Sequence, residues 1–138
     1  MGKNIQKHTT NYADVFITVS EDTKTLSSKT PKPGTIAYLQ YQLITENPYQ
    51  FTSDEIMFKV HAMRTPGVKE NSQKDYLEFF SRPKACFRSS PLVKSHGFGI
   101  HFNSEGKVAI YGMETKEYAA FLKDKKLKII KGMRSARV

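Results

Sequence analysis

The chain has a single cysteine, no tryptophan and no apolar run approaching the ~20 residues that cross a bilayer. One cysteine excludes an internal disulfide. The N-terminal stretch Met1 to His8 lacks the apolar segment that a secretion signal needs. These absences predict a cytoplasmic protein in reducing surroundings, with no membrane partner. Acids are also scarce: 13 Asp and Glu face 22 Lys and Arg, a formal charge of +9. Charges of the two signs balance as far as Ser81, so the whole surplus lies beyond it. There is no glycine-rich phosphate loop, internal repeat or heptad array, and no cofactor is predicted.

What is present is enough chain for one core. At 138 residues, with 38% apolar side chains that include nine Phe and seven Tyr, the protein can bury roughly two thirds of its unfolded surface. Residues 1–138 are read as a single globular domain, with an ordered core over about 12–133, a polar N-terminal arm and a basic C-terminal tail.

Val15, Ile17 and Val19 alternate through the β-rich run 14–20, which predicts a first strand. Residues 21–34, with Ser, Thr, Lys, two Pro and a Gly, read as a mobile surface loop. A first helix is predicted over about 35–46, stopped by Asn47-Pro48, with Ile36, Leu39 and Leu43 on one side and Ala37, Tyr41 and Ile44 on another. A second opens at Thr52, which has capping-box spacing from Glu55, and should bury Ile56, Val60 and Met63 before Pro66-Gly67. A third, about 72–81, should pack Tyr76, Phe79 and Phe80 before Arg82-Pro83 closes it.

Phe98, Ile100 and Phe102 alternate ahead of Asn103-Ser104-Glu105-Gly106, and Val108 and Ile110 alternate after it. Gly106 in the left-handed conformation pairs Asn103 with Lys107, so that Phe102 faces Val108 and Ile100 faces Ile110. A one-residue slip would send Val108 and Ile110 behind the sheet. Gly99, His101, Ala109 and Tyr111 then share the opposite face. Thr115 caps a short helix carrying Tyr118, Phe121 and Leu122. Leu127 to Met133 fits either a helix or a strand, and the order of the strands stays open. The fold predicted is α+β: one domain, with a small antiparallel β-sheet that includes the hairpin 98–112 packed against several α-helices.

The acid-free segment Arg82 to His101 holds the only cysteine, two of the four histidines and four cations. Arg82, Lys84, Arg88, Ser89, Ser90 and Lys94, with His96 close behind, suit phosphate or carboxylate oxygens. Serines beside proline also build ordinary turns, so the same residues fit a plain connection. Cys86 with His96 or His101 offers a nucleophile and a base among cations that favour the thiolate. Between Ala85 and Phe87, that cysteine equally suits a small buried hydrophobe. His96 and His101, five residues apart on extended chain, point to opposite faces, and no metal site is predicted. His101 and Tyr111 stand diagonally on the outer face of the hairpin beside Gly99, where they floor a pocket or lie beneath a covering helix. His61 reads as a half-buried structural residue. The tail beyond Lys123 is rich in Lys and Arg, with Asp124 its single acid, and has no interleaved aromatic residue for base stacking. Nucleic-acid binding there would be non-specific and salt dependent.

Thr35-Ile36-Ala37-Tyr38-Leu39-Gln40-Tyr41, Glu46-Asn47-Pro48-Tyr49, Thr52-Ser53-Asp54, Ala85-Cys86-Phe87-Arg88-Ser89-Ser90-Pro91-Leu92, Gly97-Phe98-Gly99-Ile100-His101, Tyr111-Gly112-Met113-Glu114 and Met133-Arg134-Ser135 resemble a family of small bacterial proteins of unknown function. The resemblance runs from about Tyr12 to Arg137. It implies a bacterial, single-domain protein and brings no activity or catalytic residue with it. The residues themselves point to a non-enzymatic binding module for an anionic small molecule or acidic partner, using Arg82 to His101 with Tyr111. Its rivals are a thiol-dependent enzyme, with Cys86 as nucleophile and a histidine as base, and non-specific nucleic-acid binding through the basic C-terminal region.

Overall fold

Four strands form one sheet in a computed structural model that describes residues 6–135. They are β1 (Val15–Thr18), β2 (Phe98–Phe102), β3 (Val108–Gly112) and β4 (Lys128–Lys131), in the order β3-β2-β1-β4. The hairpin has the register its alternation predicts, Phe102 opposite Val108 and Ile100 opposite Ile110. Gly106 takes φ 78°, and the Asn103 amide donates to the Lys107 carbonyl at 3.0 Å. A side chain at position 106 would strain that turn.

β1 runs antiparallel to β2 and parallel to β4, so the α+β fold is built on a mixed sheet. The undecided segment before Met133 is thus a strand. Its Ile130 packs against the core, while Ile129 is left 38% exposed.

Among the described residues five helices accompany the sheet: α1 (Ile36–Glu46), α2 (Ser53–Arg64), α3 (Gln73–Phe79), α4 (Pro91–Lys94) and α5 (Lys116–Leu122). Each opens on a hydroxyl cap, from Thr35, Thr52, Ser72, Ser90 and Thr115 in turn, that accepts a bond from a first-turn amide. Thr52 and Glu55 complete the capping box. On one face of the sheet, Ile17, Ile100, Phe102 and Val108 pack with Ile44, Ile56 and Leu92. Burying each such side chain contributes roughly 1.5–3 kcal/mol.

The other face lies under α5. Phe16, fully buried, meets Tyr118 edge-on at 5.1 Å and stacks on Phe121 at 5.0 Å. The space beside Gly99 is filled by these rings: a Cβ there would stand 2.5 Å from Phe16 Cζ and 2.7 Å from Tyr118 Cε2. β1 is therefore covered on both faces, which alternation from Val15 to Val19 alone does not indicate.

Two further differences have plain causes. Met63 is 55% exposed rather than buried, because α3 packs along the flank of α2 where Phe58 sits, with Tyr76 at 5.2 Å and Phe79 at 5.8 Å. The loop at 21–34 is tied down, since the Glu114 carboxylate accepts from the Ser28 amide at 2.7 Å and its hydroxyl at 2.8 Å. Leu26, 92% exposed, marks its outermost point. Ahead of Tyr12, Gln6, Thr9 and Thr10 are bonded to the buried carboxylate of Asp54.

Candidate functional site

The acid-free segment folds into a short 3-10 turn, Phe87–Ser89, followed by α4, and these turns use several of its polar groups internally. The Ser90 hydroxyl donates to Gln40 Oε1 at 2.8 Å and caps α4 by accepting from the Leu92 amide. The Ser89 hydroxyl donates to the Cys86 carbonyl at 2.9 Å. Arg88 reaches the sheet edge, where its Nε donates to the Lys131 carbonyl at 2.9 Å. Arg82 is exposed, Lys84 Nζ sits 4.4 Å from the centre of the Phe79 ring, and Lys94 flanks a separate cavity beside Asp22 and Lys24. The six side chains thus diverge instead of converging on one anion.

Cys86 and His101 are not brought together. Cys86 Sγ lies 3.5 Å from the Tyr12 hydroxyl, and this hydrogen bond, helped by burial, pushes the Tyr12 pKa up. The Tyr12 ring meets Phe102 edge-on at 5.3 Å on the core face of β2. His101, next along the strand, faces the other side. Among the described residues, no group of three or more His, Cys, Asp or Glu is placed to hold a metal ion.

His101 and Tyr111 do meet, through a residue the sequence reading passed over. The Tyr49 hydroxyl bonds His101 Nδ1 at 2.7 Å and the Tyr111 hydroxyl at 2.8 Å. Phe121 of α5 stacks on the His101 ring at 4.3 Å. Burial lowers the His101 pKa below its ordinary 6.5, against the opposing pull of Asp124 and Asp14. Burial likewise raises the pKa of Tyr49, whose backbone is left-handed at φ 59° and whose amide donates to the Val108 carbonyl. This cluster is a satisfied polar layer beneath α5.

An open concavity lies elsewhere, along the helices. A cavity of about 410 Å³ is walled by Ile36, Met57, Val60, His61, Arg64 and Phe79. A second, of about 460 Å³, shares Ile36 and Arg64 and extends past Lys32, Thr35, Pro91 and His96. A third, of about 240 Å³, continues beyond His61 and Phe79 to Val68 and Lys84. Shared walls make the three one groove. The two larger cavities are floored mainly by apolar side chains and the third is more polar, and the rim carries Lys32, His96, Arg64, His61 and Lys84, with the acids Asp75 and Glu78 at the α3 end.

Local geometry holds the groove open. His61 stacks on Phe79 at 4.5 Å, and its Nδ1 lies 3.3 Å from the Thr65 hydroxyl. Arg64 closes α2, where a cation faces the negative end of the helix. Ile36, in the first turn of α1, is 46% exposed above the floor. Of the predicted site residues, Lys84 and His96 line the groove, whereas Arg88, Ser89, Ser90, Lys94, His101 and Tyr111 do not. Arg64, Ile36 and Lys32 were missed because no short motif links them. They come from two helix ends and a loop that meet only on folding.

Residues 7–138 match a family of unknown function, DUF6157, and the chain belongs to that family. No curated protein and no solved structure matches it. No helix among the described residues is long and apolar enough to cross a membrane.

Proposed function

We propose that this family member is a non-enzymatic binding module for an anionic small molecule or acidic partner that also carries an apolar portion, held along the groove of α1, α2 and α3. The observation that carries this reading is the junction at Ile36 and Arg64, two exposed side chains that line both of the larger cavities. An apolar body lying over Ile36, Met57 and Phe79 removes surface from water at about 25 cal/mol per Å². Its acid group then reaches the Arg64 guanidinium, which pairs with a carboxylate or phosphate through two parallel bonds. Lys32 adds charge on the same side and His96 a ring nitrogen that can bond an oxygen, while Asp75 and Glu78 disfavour an anion at the α3 end. The remaining cations after Ser81 strengthen the field that concentrates anions near the protein. Support for binding over thiol chemistry comes from the separation of Cys86 and His101 by the thickness of the sheet.

A thermal-shift panel tests this directly. It pairs aryl and acyl carboxylates and phosphates with their uncharged amides or alcohols. An acid present at a hundred times its dissociation constant should add about 2.7 kcal/mol of stability, and its uncharged partner less. Arg64→Ala should weaken the acid about tenfold, worth about 1.4 kcal/mol, and leave the uncharged partner unaffected. If no acid in the panel stabilises the wild type, the proposal fails.

A further inference from the structure

We infer that the outer edge of β4 is a docking strand for an acidic, extended segment of another protein. Among the described residues, β4 is the last strand of the sheet. The Lys128 amide donates to the Asp14 carbonyl at 3.0 Å and the Gly132 amide to the Thr18 carbonyl at 2.9 Å, so the even-numbered positions turn their backbone toward β1. Ile129 and Lys131 turn theirs outward. Arg88 closes one end of that edge, through its Nε on the Lys131 carbonyl and its own carbonyl on the Met133 amide. Among the described residues nothing bonds the amide or carbonyl of Ile129 or the amide of Lys131, which leaves them for an added strand.

The side chains state what kind of strand fits. Lys123, Lys125, Lys126 and Lys128 are exposed, and none of the ion pairs among the described residues uses them. Asp124, the one acid in this stretch, accepts from the Lys126 amide at 2.9 Å. Lysines on an edge keep identical edges apart, because like charges placed opposite each other destabilise a pair of strands. A second copy of this chain is therefore disfavoured, and an acidic strand is the complement. Main-chain bonds to Ile129 would supply affinity, with the exposed Ile129 side chain and the lysines supplying selectivity. At the far end Glu21 already pairs with Lys131 at 2.9 Å and with Arg134, so the acids of the partner act mainly on Lys125, Lys126 and Lys128.

The probe is a ten-residue peptide alternating Glu with Val and Thr, titrated into the isotopically labelled full chain. Two controls accompany it: the same peptide with Lys for Glu, and an acidic peptide N-methylated at every residue so that it cannot donate to a strand from either edge. The acidic peptide should slow exchange of the Ile129 amide at least tenfold, and neither control should. The double variant Lys126→Glu, Lys128→Glu, both exposed positions, should weaken binding at least tenfold, Lys131→Glu should do so less, and Arg64→Ala should leave it unchanged. Equal binding of the N-methylated peptide would overturn the inference. So would an unprotected Ile129 amide, self-association of the wild type through this edge, or an oligo-dT strand that competes fully with the peptide.

Discussion

Replacing Asp54 by alanine should destabilise the protein by about 3–5 kcal/mol. Asp54 is 1% exposed, at the start of α2. Its carboxylate accepts from Gln6 Nε2 at 2.7 Å, the Thr9 hydroxyl at 2.6 Å, the Thr10 amide at 2.6 Å and the Thr10 hydroxyl at 2.7 Å. Thr10 is itself 3% exposed, so the substitution strands its buried amide, at about 1–3 kcal/mol, and takes from its hydroxyl a bond to a charged group worth about 1.5–3 kcal/mol, leaving it the Ser53 hydroxyl at 2.7 Å. Gln6 and Thr9 lie nearer water and lose less. An acid in the first turn of a helix contributes a further 0.3–1 kcal/mol or so. Relief from burying a carboxylate offsets part of the sum. Asp54→Asn keeps one acceptor oxygen and should cost about half as much. Urea unfolding gives the free energies, and amide exchange at Thr10 reports whether the arm has come loose. A loss under 1 kcal/mol, or a Thr10 amide as protected in Asp54→Ala as in the wild type, would refute the view that this carboxylate holds the N-terminal arm.

Gly99→Ala should cost about 1–3 kcal/mol, because its Cβ overlaps Phe16 and Tyr118 and has to push α5 off the sheet; an unchanged melting temperature would contradict this. Stability should also fall as the pH drops below about 6.5. The His101 pKa is lowered by folding, so the unfolded chain takes up this proton first and the stabilisation present above the ordinary value is lost on acidification. Asp14 and Asp124 oppose the shift, and Tyr49 and Tyr111 are the titratable groups bonded into the same layer. His101→Gln should flatten that part of the pH profile, and a slope unaltered in the variant would count against it.

The hairpin was fully legible, because only one register puts Ile100, Phe102, Val108 and Ile110 on a common face while Gly106 supplies the turn. Helix starts were legible for a similar reason: Thr52 and Glu55 act within one turn of each other. What one strand shows poorly is how its two faces are covered. Phe16 looks like the outward residue of β1 until α5 arrives from a hundred residues away. β4 was ambiguous because KIIK suits either periodicity over so few residues, and only pairing with β1 decides it. The site was legible in part. Charge clustering drew attention to Arg82 to His101, yet Ser89, Ser90 and Arg88 spend their polar groups on the chain's own turns and edge. Arg64 and Ile36 each look ordinary in sequence, and their common position over one groove is a product of tertiary packing.

Chemical-shift mapping of the strongest acid from the thermal-shift panel tests the central claim most directly. If the groove is the binding site, the largest amide shifts on titration fall at Ile36, His61, Arg64 and Phe79, with smaller ones at Lys32 and His96, and Arg64→Ala diminishes them together. Shifts centred instead on His101 and Tyr111, on Lys94, or on Lys123 to Lys131 would place the anion elsewhere and contradict the account.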